Sequence, residues 1–446
     1  MVKKISTCFL AIVLLSTLFS CRKSNFNLPE DKTITDNGFG TGTVTWYASE
    51  DYIIEGLVFV NDGQTLTIEP GTVIRARTGQ GDKASALIVA RGGRIIARGT
   101  AQNPIIFTVE GDDLEGSIPM TASGLWGGLI VLGNAPLNAS GGEAIVEGIP
   151  ISEPRGVFGG DNPGDDSGIL QYVSIRHGGT TLGEGNEING LTLGGVGSGT
   201  VIDHIEVLAN ADDGVEIFGG TVNCKYLAVA WCGDDAFDFD LGFQGKGQFW
   251  LAIMEHETGN QVIELDGSSG HPSQKPYTRP MVFNLTAVGR GPDMQGGLIS
   301  FATNAAGIFR NSIFVNQHSG VQIEYDVDHD NSLEQWQSEN LEITHNTFYN
   351  IADDTPAGIF KIHGDDPGSD ITQQWIAYFT FGLNQVVNPG FFIENQTYHL
   401  FPGEEFTGEA AVPDDPWFEN AGYQGAFNNY DWLLGWSLLS QEGVVW

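Results

Sequence analysis

The chain has 446 residues, enough for one long solenoid or two to three compact domains. Asp and Glu number 56 against 20 Lys and Arg, a formal charge of −36, which argues against nucleic acid as a partner and for cations or solubility in a salty medium. Gly is abundant at 61 and charged residues make up only 17%, a balance that suits a turn-rich all-β protein, with no convincing helical periodicity after the leader.

Residues 1–20 read as a signal peptide: Lys3 and Lys4 precede an apolar run from Phe9 to Phe19. That run falls short of the roughly 20 residues a bilayer span takes. Leu18-Phe19-Ser20-Cys21 resembles a bacterial lipobox, with a small residue before the cysteine. The resemblance implies cleavage before Cys21 and acylation of its thiol and new amine. The expected location is the cell envelope, as an outer-membrane lipoprotein held to the membrane by its N-terminal lipid. Arg22-Lys23-Ser24-Asn25 lacks the acidic patch that sends some lipoproteins to the cell surface, so the periplasmic and surface-exposed faces both stay open. Residues 21–42, polar and rich in Gly and Thr, are read as the lipidated Cys and a flexible tether.

From residue 43 to 400 the pattern is one of short strands and tight turns. Leu57 and Phe59, Leu66 and Ile68, then Val73 share a parity, with Asn61-Asp62-Gly63 and Pro70-Gly71 as turns. A like unit follows through Leu87, Val89, Ile95, Ala97, Ile105 and Phe107. Further coils open at Gly124 and Tyr172, with the acidic loop Gly159–Asp166 between them at the surface.

The central stretch is the most regular. Asp212-Asp213 recurs as Asp234-Asp235, a spacing of 22 residues, and alternating residues follow each pair. Val215, Ile217, Phe237 and Phe239 take one parity, and Glu216, Asp238 and Asp240 the other. This is the signature of strands with one buried and one wet face, stacked as a solenoid. Asn260–Asp266 fits in phase, placing Glu264 and Asp266 beside Asp238 and Asp240. At the parallel spacing of about 4.8 Å, Glu216, Asp238 and Glu264 would form one outward column and Asp240 and Asp266 a second. The first column is expected to run Thr192, Glu216, Asp238, Glu264, Ser300, Glu324, Lys361. Stacked carboxylates repel by about 1 kcal/mol per pair in water, and more where water is excluded, unless protons or a cation relieve them. Calcium, with six to eight oxygen ligands and tolerant geometry, is the expected cation.

The candidate ligands are Asp212, Asp213, Glu216, Asp234, Asp235, Asp238, Asp240, Glu264 and Asp266. Asp326, Asp328 and Asp330 form a second candidate, since D-x-D-x-D opens a calcium loop. There, however, Asn331 stands at the sixth position and Gln337 at the twelfth. Cys224 and Cys232 are expected to be buried free thiols, being too far apart along a straight strand to bond. Residues 401–446 gather Trp417, Phe418, Tyr423, Phe427, Tyr430, Trp432, Trp436 and Trp446, an aromatic segment expected to cap the open end of the solenoid.

Taken together, Leu66–Thr72, Pro104–Thr108, Asp212–Asn223, Tyr423–Phe427, Asp431-Trp432 and Gly435-Trp436 resemble the pectin-lyase-like superfamily. Within it they are similar to a group of bacterial cell-envelope lipoproteins. The resemblance covers nearly all of the mature chain. It implies a right-handed parallel β-helix solenoid with an N-terminal lipoprotein signal peptide and an aromatic C-terminal cap, and it implies little about activity. In pectate-lyase relatives calcium on stacked Asp neutralises a uronate while Arg or Lys takes the proton. Lys361, Arg310 or Arg290 would have that role here, and none falls in the acidic coils. Arg176-His177-Gly178 is the nearest echo of polygalacturonase motifs. Zinc spacing, a nucleophile elbow, a P-loop and a dinucleotide fingerprint are missing.

Three functions therefore stay open: a non-catalytic binder of polysaccharide or of an outer-membrane partner protein, with calcium on its acidic strip; a calcium-dependent polysaccharide lyase or glycoside hydrolase; and a purely structural envelope protein. For hydrolysis, carboxyl groups about 5–9.5 Å apart are needed, a spacing that neighbouring coils supply too readily to decide the matter.

Overall fold

The computed structural model describes residues 32–446 apart from 184–185, 256, 268–271, 404–405, 407 and 429. The expected signal peptide, Cys21 and the start of the expected tether lie outside the described residues. Ten short strands, one per coil, stack into one sheet from Leu57–Val60 through Val215–Phe218, Phe237–Asp240 and Gln261–Leu265 to Phe360–Gly364. The remaining wall is a 17-stranded sheet, and coil-to-coil pairings in both are parallel. The chain is thus an all-β parallel β-helix. Among the described residues no helix is long and apolar enough to cross a membrane.

Inward-facing residues build the core by register. Val215, Phe237, Ile263, Ile299 and Val321 line up across successive coils, as do Ile217, Phe239, Leu265, Phe301 and Ile323. Each of these is essentially fully buried, so the alternation read from the sequence is the alternation that packs. Two readings differ from expectation. In the first coil Val58, Val60 and Ile74 face the core in place of Leu57, Phe59 and Val73, with Phe59 on the outer face. One later register is also shifted. Ser300 lies opposite Gln322, which lies opposite Lys361, whereas Glu324 lies opposite His363, one pleat further along.

The long strands Gly168–Arg176, Val201–Leu208, Asn223–Ala230 and Lys246–Ile253 each turn a corner midway. Tyr172, His204, Tyr226 and Phe249 stand there with φ of 50, 54, 56 and 59°. A non-glycine residue in this left-handed region costs about 1–2 kcal/mol. The corner is offset by stacking, for the rings of Tyr172 and His204, His204 and Tyr226, and Tyr226 and Phe249 lie 4.3, 4.4 and 5.1 Å apart.

Two expectations about the ends need correction. The tether is not flexible to residue 42: Lys32–Ile34 pairs in parallel with Tyr52–Ile54, and Asp36 accepts a 2.6 Å bond from Arg155. Its backbone donors and acceptors are used by the solenoid, which a polar composition does not forbid. The end of the stack is covered by a helix, Ser369–Phe381, whose buried Trp375 stacks on Phe360 at 4.7 Å. The aromatic tail instead lies along the flank. Trp432, Leu433, Trp436 and Leu439 pack on Leu208, Ala228, Ala230, Leu251 and Ile253, the outer face of the long sheet. Those strands are apolar on both faces, and a sheet face of that kind needs a cover.

A second cover is the insertion 133–166. Its strands Ala144–Ile145 and Val157–Phe158 pair antiparallel. Leu137, Val146, Ile149 and Phe158 bury Phe59, Ile88, Ile130 and Leu132 on the outer face of the ten-stranded sheet.

Candidate metal centre

Glu216, Asp238 and Glu264 stand in register on three successive coils, as their alternation requires. Asp240 and Asp266 extend the strip one pleat further, and Asp240 lies opposite Phe218. The strip is not the wet face that alternation suggests. Glu216, Asp213 and Asp235 retain 6, 8 and 2% exposure, whereas Asp212, Asp238, Asp240, Glu264 and Asp266 are half-buried and Asp234 is exposed. The strands do face outward, but the insertion lies over that side.

The Asp-Asp pairs sit at the turns that enter the strands. Asp213 Oδ1 accepts the Asp235 amide at 2.9 Å, and Asp235 Oδ1 accepts the Gln261 amide at 2.5 Å. Each carboxylate therefore ties its turn to the coil above and still has an oxygen to offer. Asp213, Glu216 and Asp238 bring one oxygen apiece to within 4.8 Å of one another, and so do Asp212, Asp213 and Asp234. Two oxygens bound to one calcium at 2.3–2.6 Å stand no more than about 5.2 Å apart, so both groups are within reach of a single ion each.

The electrostatics are one-sided. Burial, then the neighbouring charges of Asp238 and Asp212, holds Asp213 well above the usual carboxylate range. Burial acts likewise on Glu216, with Asp238 and Glu147 next, and on Asp238, with Asp240 and Glu264 next. Asp235 is raised by burial and then by Asp213 and Glu264. Glu264 is raised by burial and Asp266, and Asp234, exposed as a residue, by desolvation of its carboxyl among its neighbours. Asp212 and Asp240 are pushed up to about 7, again chiefly by burial. Among the described residues, the largest influences on these carboxyls after burial come from other carboxyls and hydrogen bonds, with no Lys or Arg among them. Asp238 Oδ1 is buried without a hydrogen-bond partner. Protons shared between carboxyls, or a cation, must balance such a group.

Calcium fits this donor set better than zinc. All the ligands are oxygens, and their spacing is set by the coil repeat and not by an octahedron or tetrahedron. Cys232 lies nearby, but its buried thiol is pushed up to about 12 and stays protonated. Cys224 and Cys232 are both free and buried, as expected.

The second sequence candidate is not gathered in this way. Asp326 accepts the Asp328 amide at 2.8 Å and faces His329 Nδ1 at 2.8 Å. Asn331 then caps the helix Ser332–Gln337 by accepting from the Glu334 amide at 3.2 Å. The D-x-D-x-D pattern is used as a turn leading into that helix, and Asp328 and Asp330 point to solvent.

The candidate bases lie elsewhere. Lys361 is four strands beyond Asp238 in register, about 19 Å away at the parallel spacing. Arg310 is paired with Glu342, and Arg290 donates to the backbone oxygens of Gly259, Gln295 and Glu257. Two participants were missed from sequence. Glu147 of the insertion and Asn189 join the strip, with Asn189 Nδ2 donating to Glu147 Oε1 at 3.0 Å and to Glu216. Glu147 belongs to no repeat, but Asn189 precedes Leu191 by two residues as Asp213 precedes Val215, so the coil repeat was a signal that could have found it.

Among known families, a model described as a pectate-lyase-like beta helix domain matches residues 38–366. No curated protein and no solved structure matches the chain.

Proposed function

The chain belongs to the pectate-lyase-like β-helix family, and from that premise we propose a lipid-anchored cell-envelope β-helix that binds a polysaccharide or a partner protein without catalysis. Calcium on the central acidic strip holds its coils together. The carrying observation is the burial of Asp213, Glu216 and Asp235. A catalytic calcium must meet substrate, and a lyase needs a base within about 3 Å of the proton it removes. Among the described residues, Asp213, Glu216 and Asp235 are closed to a substrate, and Arg310 and Arg290 are engaged away from the strip.

One observation favours a second reading, a polysaccharide hydrolase. Asp240 is half-buried with its carboxyl at about 7, next to the half-buried Glu264 and Asp266. An assay on acidic and neutral polysaccharides with calcium separates the two. The expected result is retention of polymer on immobilised protein with no unsaturated product and no new reducing ends. Either product, lost in Asp240→Asn, would overturn the non-catalytic reading. The anchor rests on residues 1–21 and is tested by labelled fatty acid. Incorporation into the intact chain and none into Cys21→Ser is expected, and equal labelling of the two would sink the assignment.

A further inference from the structure

The insertion 133–166 approaches the strip through Glu147. Its neighbour Gly148 has φ +70°, and a Cβ there would come within 2.5 Å of Ile188 Cγ1 and 3.0 Å of the Glu187 carbonyl. Glycine alone lets the backbone lie this close, and the close approach sets Glu147 beside Asn189 and Glu216. Asn189 is fully buried, at 0% exposure, and its Oδ1 has no hydrogen-bond partner. Asp238 is half-buried, but its Oδ1 is likewise a buried atom without a hydrogen-bond partner. Buried polar atoms are nearly always paired. Asn189 donates to Glu216, and Asp238 stands opposite Glu216. An unpartnered amide oxygen and an unpartnered carboxylate oxygen thus belong to the two side chains that flank Glu216, and both are ligands of the kind calcium takes.

We propose that Glu147 and Asn189 complete the cation site, so that the ion fastens the insertion to the central coils. This rests on the reading of the strip as a cation site. The same insertion seals Phe59, Ile88, Ile130 and Leu132, and the ion therefore also closes that apolar face. Elsewhere the insertion is tied by Arg155 to Asp36 and by Arg91 to Glu143. The effect of the ion is accordingly confined to the part around Glu147.

The test is calorimetric calcium titration and hydrogen exchange on the full chain, as wild type, Glu147→Gln and Asn189→Ala. Calcium is expected to slow exchange of the amides of residues 144–149 in the wild type. Both variants are expected to bind calcium at least about tenfold more weakly, the usual loss when a ligand or its support is removed, and to lose that slowing. Glu147→Gln removes a negative charge, and its cation-free melting temperature is expected to be no lower than that of wild type, which separates ligand loss from misfolding. A Glu147→Gln protein that binds calcium as the wild type does would overturn the proposal. So would wild-type binding with unchanged exchange at 144–149. A wild type that binds no calcium would instead overturn the reading of the strip.

Discussion

In chelator the protein is expected to melt at lower temperature as pH rises from about 5 to about 8, and calcium is expected to reverse that trend. The sign follows from the raised carboxyls. Asp212 and Asp240 titrate near 3.8 in the unfolded chain and at about 7 when folded. Between those values the folded state holds protons that the unfolded chain has released. Their contribution is therefore fully present below about pH 4 and is lost as pH climbs through 7. Asp213, Glu216, Asp235 and Asp238 shift in the same direction. Calcium competes with those protons and binds best when they have left. At a hundredfold excess over Kd it adds about 2.7 kcal/mol, or about 3 °C in Tm for a chain of this size. Asp238→Asn separates repulsion from binding, because it is expected to raise Tm in chelator and to abolish the calcium increment. Differential scanning calorimetry at several pH values reads all of this. A melting temperature indifferent to calcium at pH 8 would leave the strip without a cation.

Loss of Glu206 is expected to cost about 3–5 kcal/mol, the range found when one partner of a buried charged group is removed. Glu206 has 0% exposure. It accepts from Ser437 Oγ at 2.6 Å, from the Leu438 and Leu439 amides at 3.1 and 3.2 Å, and from Ser174 Oγ at 2.6 Å. Three of these four donors belong to the tail, so Glu206 ties the last turns of the tail to the solenoid, in addition to the bonds that Gln248 and Thr286 make with Glu419 and Ala426. Its charge also helps Arg176, whose buried guanidinium is driven down first by desolvation and is supported next by Glu206. Glu206→Ala should lower the denaturant midpoint and open residues 430–446 to protease, while Glu206→Gln, which keeps one acceptor, should fall between. Digestion of the tail at the wild-type rate in Glu206→Ala would show that Trp432 and Trp436 hold it without help.

How much of this could be read in advance differs from residue to residue. The inward columns through Phe237 and Phe239 were legible because strand alternation has a period of two, and burial of one parity fixes register between coils. Glu216, Asp238 and Glu264 came into line by the same rule. Asp326 and its neighbours misled, since turn capping and calcium ligation favour the same alternating Asp. Helix Ser369–Phe381 escaped notice because its apolar stripe is short and embedded in a β-rich chain.

The sequence by itself determined a parallel β-helix and the stacking of carboxylates at a coil repeat of about 4.8 Å, since both follow from local periodicity. Only the tertiary structure decided that the strip is buried, that Glu147 enters it, and that the aromatic tail runs along the flank. Those outcomes depend on which outer faces are apolar enough to need a cover and on which non-repeating segment reaches them. Contacts between a repeat and an insertion leave no period in the chain, and the dielectric around Asp213 and Glu216 is set by those contacts.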